Sequence, residues 1–205
     1  MELFGKNTQI NEYIEQAIRN NDIELEVIFG SSEYKNPIDK KIFIKTLEQC
    51  NSSYQKLSET TELDIRVEYN RKPSNIRATI HGLDSIKKYC RDESLDAIQG
   101  IQFIQKNNHF SDDNKRYDQL KDENYNVRLN IKKEKNLHDR HHFVKSFLSN
   151  YDTKGKYYRY KKRYSFLTKD QLFRIDLTVV KATDKYKGKY NFQRTFKKAN
   201  ILQNK

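Results

Sequence analysis

Apolar and charged residues alternate along several stretches of this chain, and a period of two is the mark of a half-buried strand. The clearest stretch is Asp22-Ile-Glu-Leu-Glu-Val-Ile-Phe-Gly30, with Ile23, Leu25, Val27 and Phe29 on one side and Glu24 and Glu26 on the other. Residues 61–69 and 75–81 read as a hairpin. Leu63, Ile65 and Val67 alternate with Asp64, Arg66 and Glu68, then Ile76, Ala78 and Ile80 with Arg77 and Thr79. The link Arg71-Lys-Pro-Ser74 has turn chemistry. Residues 101–106 fit a strand, 111–124 a polar loop, and 126–132 a strand with Arg128, Asn130 and Lys132 on its polar side. The most basic strand spans 156–167. There Arg159, Lys161 and Arg163 share one face, while Tyr158, Tyr160 and Tyr164 take the other, with Lys162 among them. In 172–180, Arg174, Asp176 and Thr178 oppose Phe173, Ile175, Leu177 and Val179.

A helical period marks the remaining elements. Ile10, Tyr13, Ile14, Ala17 and Ile18 make one face over 8–20. Asn36-Pro37 predicts a helix start, followed by Ile38, Ile42, Phe43, Thr46, Leu47 and Cys50 on one face through residue 50. A short helix is expected from Asp84 to Cys90 after the Gly82 break, and another over 140–151 with Phe143, Val144, Phe147, Leu148 and Tyr151. The last 25 residues are basic and predict no strand, and no internal repeat or linker divides the 205 residues, so a single domain is expected.

Composition sharpens this picture. One residue in three is charged and the mean hydropathy is −1.04, which approaches disordered composition, but 14 tyrosines and 11 phenylalanines argue for a fold. The formal charge of +12 asks for an acidic partner, nucleic acid or polyphosphate first. Cys50 and Cys90 offer neither a disulfide framework nor zinc spacing, so buried free thiols in a reducing compartment are expected. No apolar run suits a signal peptide or approaches the roughly 20 residues of a membrane span, and the expectation is a soluble, cytoplasmic protein.

The charged positions carry the chemistry. Glu24 and Glu26 stand roughly 7 Å apart on one strand face, able to converge on a hard divalent cation. Arg159, Lys161 and Arg163 on a bare sheet face, with Arg77, Arg128 and Arg174 on neighbouring strands, would repel one another unless carboxylates or an anion answer them. A sheet closed on itself with polar faces inward resolves this. The cations line one wall and the glutamates another, and helices 8–20, 38–50 and 140–151 cover the outside. Arginine suits phosphate through its forked donors, and lysine as a point charge.

Four motifs then carry a resemblance: Ile-Glu-Leu-Glu-Val-Ile-Phe, Asn-Ile-Arg-Ala-Thr-Ile-His-Gly, Arg-Tyr-Lys-Lys-Arg-Tyr-Ser-Phe and Arg-Ile-Asp-Leu-Thr-Val-Val-Lys. In this order, over roughly residues 20–182, the chain resembles the triphosphate tunnel metalloenzymes. Within them it is most similar to the RNA 5′-triphosphatase of the mRNA-capping enzymes of large DNA viruses. The resemblance implies an α+β fold, an eight-stranded antiparallel tunnel with flanking helices, using Mg²⁺ or Mn²⁺ to remove the γ-phosphate of nascent mRNA. It implies Glu24 and Glu26 as metal ligands and Arg77, Lys132, Arg159, Lys161, Arg163 and Arg174 around the triphosphate. Asp176 would orient the basic wall and Thr178 assist it, while Lys106 and Arg128 join by strand face.

The expected partners are 5′-triphosphate RNA and the guanylyltransferase and methyltransferase parts of a capping enzyme, with no membrane. Two departures stand out. Ile28 replaces an arginine common in the family, and no second glutamate strand follows Lys181. The tunnel is therefore expected to lack its last strand here, the chain being the N-terminal part of a longer capping polypeptide or, less favoured, a remnant. Two other functions fit: a tunnel hydrolase of free nucleoside triphosphate or tripolyphosphate, and a non-catalytic basic RNA-binding part of a capping complex. The histidines at 138, 141 and 142 read as a surface helix start rather than a zinc site. The tyrosines of 157–164 read as outward packing, and the lysine-rich tail as a solvated face or an RNA-backbone contact.

Overall fold

The computed structural model describes residues 9–29, 38–108, 117, 119–122, 126–182 and 202–204. Four helices and ten strands follow in the order α1 (Gln9–Arg19), β1 (Ile23–Phe29), α2 (Lys40–Ser53), β2 (Gln55–Tyr69), β3 (Lys72–Pro73), β4 (Ile76–His81), α3 (Leu83–Asp92), β5 (Gln102–Asn108), β6 (Leu120–Asp122), β7 (Val127–Leu137), α4 (His142–Ser149), β8 (Lys156–Leu167), β9 (Arg174–Ala182) and β10 (Leu202–Asn204).

All strand pairs are antiparallel, in the order β1-β7-β5-β4-β2-β8-β9-β10, with β3 beside β2 and β6 beside β7. The main path holds eight strands, the number that the resemblance implied. The eighth corrects an expectation: Leu202–Asn204 pairs with Val179–Lys181, within a tail expected to hold no strand. Three residues with no alternation leave no pattern to read. Leu120–Asp122 likewise pairs with β7 inside the expected polar loop.

Two strands are longer than their alternation suggests. β2 begins at Gln55 because the polar run Gln55–Thr61 pairs with the end of β8, across a bulge at Lys56–Ser58. β7 continues to Leu137 because β1 and β5 both pair with it. Asn70 and Arg71, at φ of +49° and +61°, make the tight turn that sends the chain from β2 into β3.

The two apolar clusters lie on one side of the sheet. Leu63, Ile65, Ala78, Ile80 and Phe103 of β2, β4 and β5 pack under α3 and α4, meeting Ile86, Tyr89, Val144 and Phe147. A smaller cluster packs Tyr13 of α1 and Tyr117 on Ile23, Leu129 and Ile131. Tyr158 and Tyr160 join the larger cluster, so these tyrosines do pack outward. α1 and α4 thus cover the sheet as expected, and α3 takes the place foreseen for α2. That helix buries only Cys50, its Ile42 is 58% exposed, and its cap is Asp39, accepting from the backbone N–H of Lys41 and Ile42. The expected Asn36-Pro37 start lies outside the described residues. Both cysteines are free, Cys50 buried and Cys90 half-buried. No described helix is long and apolar enough to cross a membrane.

Candidate functional site

The face turned away from the core is charged, and strand register fixes its layout. Residues directly opposite in a ladder point the same way. Glu24 faces Lys132 and Glu26 faces Asn130 across β1–β7, with Ile28 opposite Arg128. Lys106 faces Glu134, and Ile104 faces Arg77 on its other side. Asp64 lies between Thr79 and Arg159, and Glu62 between His81 and Lys161. Arg163 faces Thr178, and Ser165 faces Asp176. All twelve residues singled out from the sequence therefore share one sheet face.

Carboxylates hold the lysines. Lys161, 3% exposed, places Nζ 2.6 Å from Glu62 Oε2 and 3.0 Å from Asp64 Oδ2, and Thr79 Oγ1 donates to Asp64 Oδ1 at 2.9 Å. Lys106 Nζ bridges Glu24 Oε2 and Glu134 Oε1, the latter at 2.8 Å. Arg77 reaches Glu134 only at 3.5 Å. Lys132 donates to Asn108 Oδ1 at 2.7 Å. Toward the rim, Asp176 accepts from Ser165 at 2.8 Å and pairs with Arg174 at 3.1 Å and Arg163 at 3.4 Å. Arg174 is the most exposed of this group; Thr178 and Arg128 are buried.

Burial pushes the Asp64 carboxyl up, but the Lys161 ammonium, ahead of Arg77, outweighs it and holds the group below the usual carboxylate range. Glu62 is held low in the same way. Burial pulls Lys106 down, yet Glu24 and Glu134 leave its ammonium above the ordinary lysine value.

Two arginines are treated differently. Among the described residues neither Arg66 nor Arg159 makes an ion pair, and the buried Nε atoms of Arg77, Arg159 and Arg163 have no hydrogen-bond partner. Orphaned buried donors are rare in folded proteins and call for an anion or water. Burial first, with the neighbouring Arg77 guanidinium adding to it, lowers Arg159, while Asp64 and Glu26 pull the other way.

That last influence is consistent with a curled sheet. β1 and β8 are five strand steps apart, about 24 Å along a flat sheet at roughly 4.8 Å per step. At that range the interaction would be screened away. The sheet curls into a trough that brings β1 toward β8.

Glu24 and Glu26 are the pair suited to a divalent cation. Among the described residues no three His, Cys, Asp or Glu side chains converge as a metal site, so the protein would offer two carboxylates. That donor set fits Mg²⁺, which is usually held by one or two carboxylates with substrate phosphates and water completing the octahedron. The histidines fit no zinc site: His141 caps α4, its Nδ1 accepting from Phe143 N–H, and stacks on His142, as expected of a surface helix start.

No family model and no curated protein sequence matches the chain. Among solved structures, the Mimivirus capping enzyme triphosphatase superposes on 85% of this chain and 78% of its own, with a TM-score of 0.59 at 18% identity. This is the fold of a viral capping-enzyme triphosphatase. On that triphosphatase fold the motif residues gather as the resemblance implied, while four members of the charged face went unmarked: Glu62, Asp64, Arg66 and Glu134. Asp64 and Arg66 did stand on the polar side of the 61–69 alternation, and that signal could have placed them.

Proposed function

We propose that the chain is a metal-dependent RNA 5′-triphosphatase that removes the γ-phosphate of nascent mRNA in the first step of cap formation. The observation that carries this reading is the charged face itself: guanidinium groups whose buried N–H donors have no partner among the described residues share one sheet face with Glu24 and Glu26. A bare RNA-binding surface needs the cations but gains nothing from Glu24 and Glu26, which repel a phosphate backbone.

Phosphoryl transfer asks a protein for positioning and charge neutralisation more than for covalent chemistry. Arg77, Arg159 and Arg163 would take the phosphate oxygens, their fork geometry matching two oxygens at a time. Lys161 is already answered by Glu62 and Asp64, so its part is to fix the wall between Arg159 and Arg163. Glu24 and Glu26 would hold Mg²⁺ or Mn²⁺, which neutralises charge on the phosphates and polarises the γ-phosphorus. Lys106 sits on Glu24 Oε2, so its ammonium would compete with a cation for that oxygen, while Glu134 would hold the ammonium beside the phosphate site. The diphosphate end left by this reaction is the acceptor that a guanylyltransferase requires, which is the partner activity that the proposal implies.

The test is release of phosphate from γ-labelled triphosphate RNA, compared with free nucleoside triphosphate and tripolyphosphate. Release that needs Mg²⁺ or Mn²⁺, favours RNA ends and disappears with Glu24→Ala supports the proposal. Undiminished release from Glu24→Ala, or a preference for free triphosphates, overturns it.

A further inference from the structure

Arg66 belongs to none of the motifs that mark the trough, yet the ladder places it there. Ile65 pairs with Ala78 on one side and Tyr158 on the other, so Arg66, the next residue, stands beside Arg77 and diagonal to Arg159. Diagonal neighbours on one face lie about 7–8 Å apart, within reach of long side chains. Arg66 is half-buried and, like Arg159, makes no ion pair among the described residues. Burial lowers it first, and the Arg77 and Arg159 guanidiniums lower it further, so the three groups feel one another. The carboxylates nearest to them are engaged elsewhere: Asp64 by Lys161 and Thr79, and Glu134 chiefly by Lys106.

Two bland readings of Arg66 fail on these facts. A solvated surface arginine would not be desolvated by a cavity wall. A structural ion pair would have its own carboxylate. Three guanidiniums meeting with only Glu134 beside Arg77, at 3.5 Å and shared with Lys106, are a cost to the folded chain unless an anion sits among them.

We infer that Arg66, Arg77 and Arg159 form a single pocket for a phosphoryl group, and that it binds phosphate without a metal. Arg77 reaches Glu134 at 3.5 Å, and Lys106 bridges Glu134 and Glu24, so the pocket borders the part of the trough that faces β1 and β7. It therefore takes the phosphoryl group nearest the Glu24–Glu26 pair: the terminal one before hydrolysis, and the released phosphate after it. This rests on the triphosphatase reading and adds a consequence, that inorganic phosphate binds competitively with the triphosphate end.

The experiment is calorimetry and thermal denaturation with inorganic phosphate and tripolyphosphate, in EDTA, on the full chain and on its Arg66→Met and Arg159→Met variants. Both anions are expected to bind the unaltered chain and raise its melting temperature. Arg66→Met is expected to weaken phosphate at least about tenfold, the loss of one charged donor pair. Without phosphate it should melt a few degrees higher than the unaltered chain, because a like-charge contact is gone. A merely structural Arg66 gives the opposite sign.

If Arg66→Met binds phosphate as tightly as the unaltered chain while Arg159→Met does not, the three-arginine pocket is wrong and the triphosphatase reading stands. If the unaltered chain binds neither anion, both fall. Should Arg66→Met fold poorly, Arg66→Lys keeps the charge and loses the fork. It is expected to stay folded with weakened phosphate binding, and full-strength binding by it overturns the fork-based pocket.

Discussion

On the β1–β7–β5 side of the trough the inward cation Lys106 sits between two carboxylates, Glu24 and Glu134. On the β2–β8 side, Arg159 has no ion-pair partner among the described residues, although Lys161, two residues further along the same strand, has two. The difference follows side-chain chemistry as much as position. An ammonium is a compact charge that a carboxylate can satisfy fully, and it loses its proton easily when buried alone. A guanidinium stays charged under almost any burial and keeps several donors for a flat oxygen pair. Glu24, Glu134, Glu62 and Asp64 thus hold Lys106 and Lys161, while Arg66 and Arg159 are left without an ion pair among the described residues.

The sharpest way to break that comparison is to remove an unanswered arginine. Arg159→Ala is expected to lower the rate of phosphate release by about 10²–10³, the scale of one lost transition-state donor, with melting temperature unchanged or raised. A drop in stability of the same variant, with activity retained, would reverse the roles assigned to the two cation types.

Asp64→Ala probes the answered side. It leaves Lys161 with Glu62 alone and Thr79 without its acceptor, at a cost of about 1–3 kcal/mol in chemical denaturation. The same network fixes a pH dependence. Asp64 and Glu62 are held below the usual carboxylate range in the folded chain, so the unfolded state binds protons first as pH falls. Their stabilisation is complete above the unfolded values of about 4 and is lost as pH drops through the lower folded ones. Lys161→Met should flatten that acid limb in a pH series of melting temperatures.

A smaller effect is expected at Lys106. Lys106→Met frees Glu24, and Mn²⁺ titration followed by paramagnetic resonance should show tighter binding, by about three- to tenfold. Equal affinity would mean that the Lys106–Glu24 pair does not compete with the cation. Least of all, Lys162→Ala removes an exposed contact with Glu59 on the outer face, and neither melting temperature nor phosphate release should move measurably.

Much of this architecture was legible in the chain because alternation reports which side chains share a face. The strands at 23–29, 76–81, 156–167 and 174–182 were readable for that reason, and with them Glu24, Glu26, Arg77, Arg159, Lys161, Arg163, Asp176 and Thr178. Where alternation carries no contrast, the reading stopped. Residues 132–135 are all charged, so parity is invisible and Glu134 could not be told from its neighbours, although pairing with β5 turns it inward. Glu62 hides in the polar start of β2, whose strand character comes from its partner β8 rather than from its own composition. Leu202–Asn204 is a strand only because β9 offers it an edge. The curl of the sheet is a property of many strands together, and no single segment encodes it.

Because the two apolar clusters sit between the sheet and its helices, most of the packing lies apart from the charged face. Substituting an inward residue changes what the cavity recognises without opening a void beneath a helix. A scaffold built this way can drift from one phosphorylated compound to another by exchanging lumen side chains, while the clusters under its helices stay untouched.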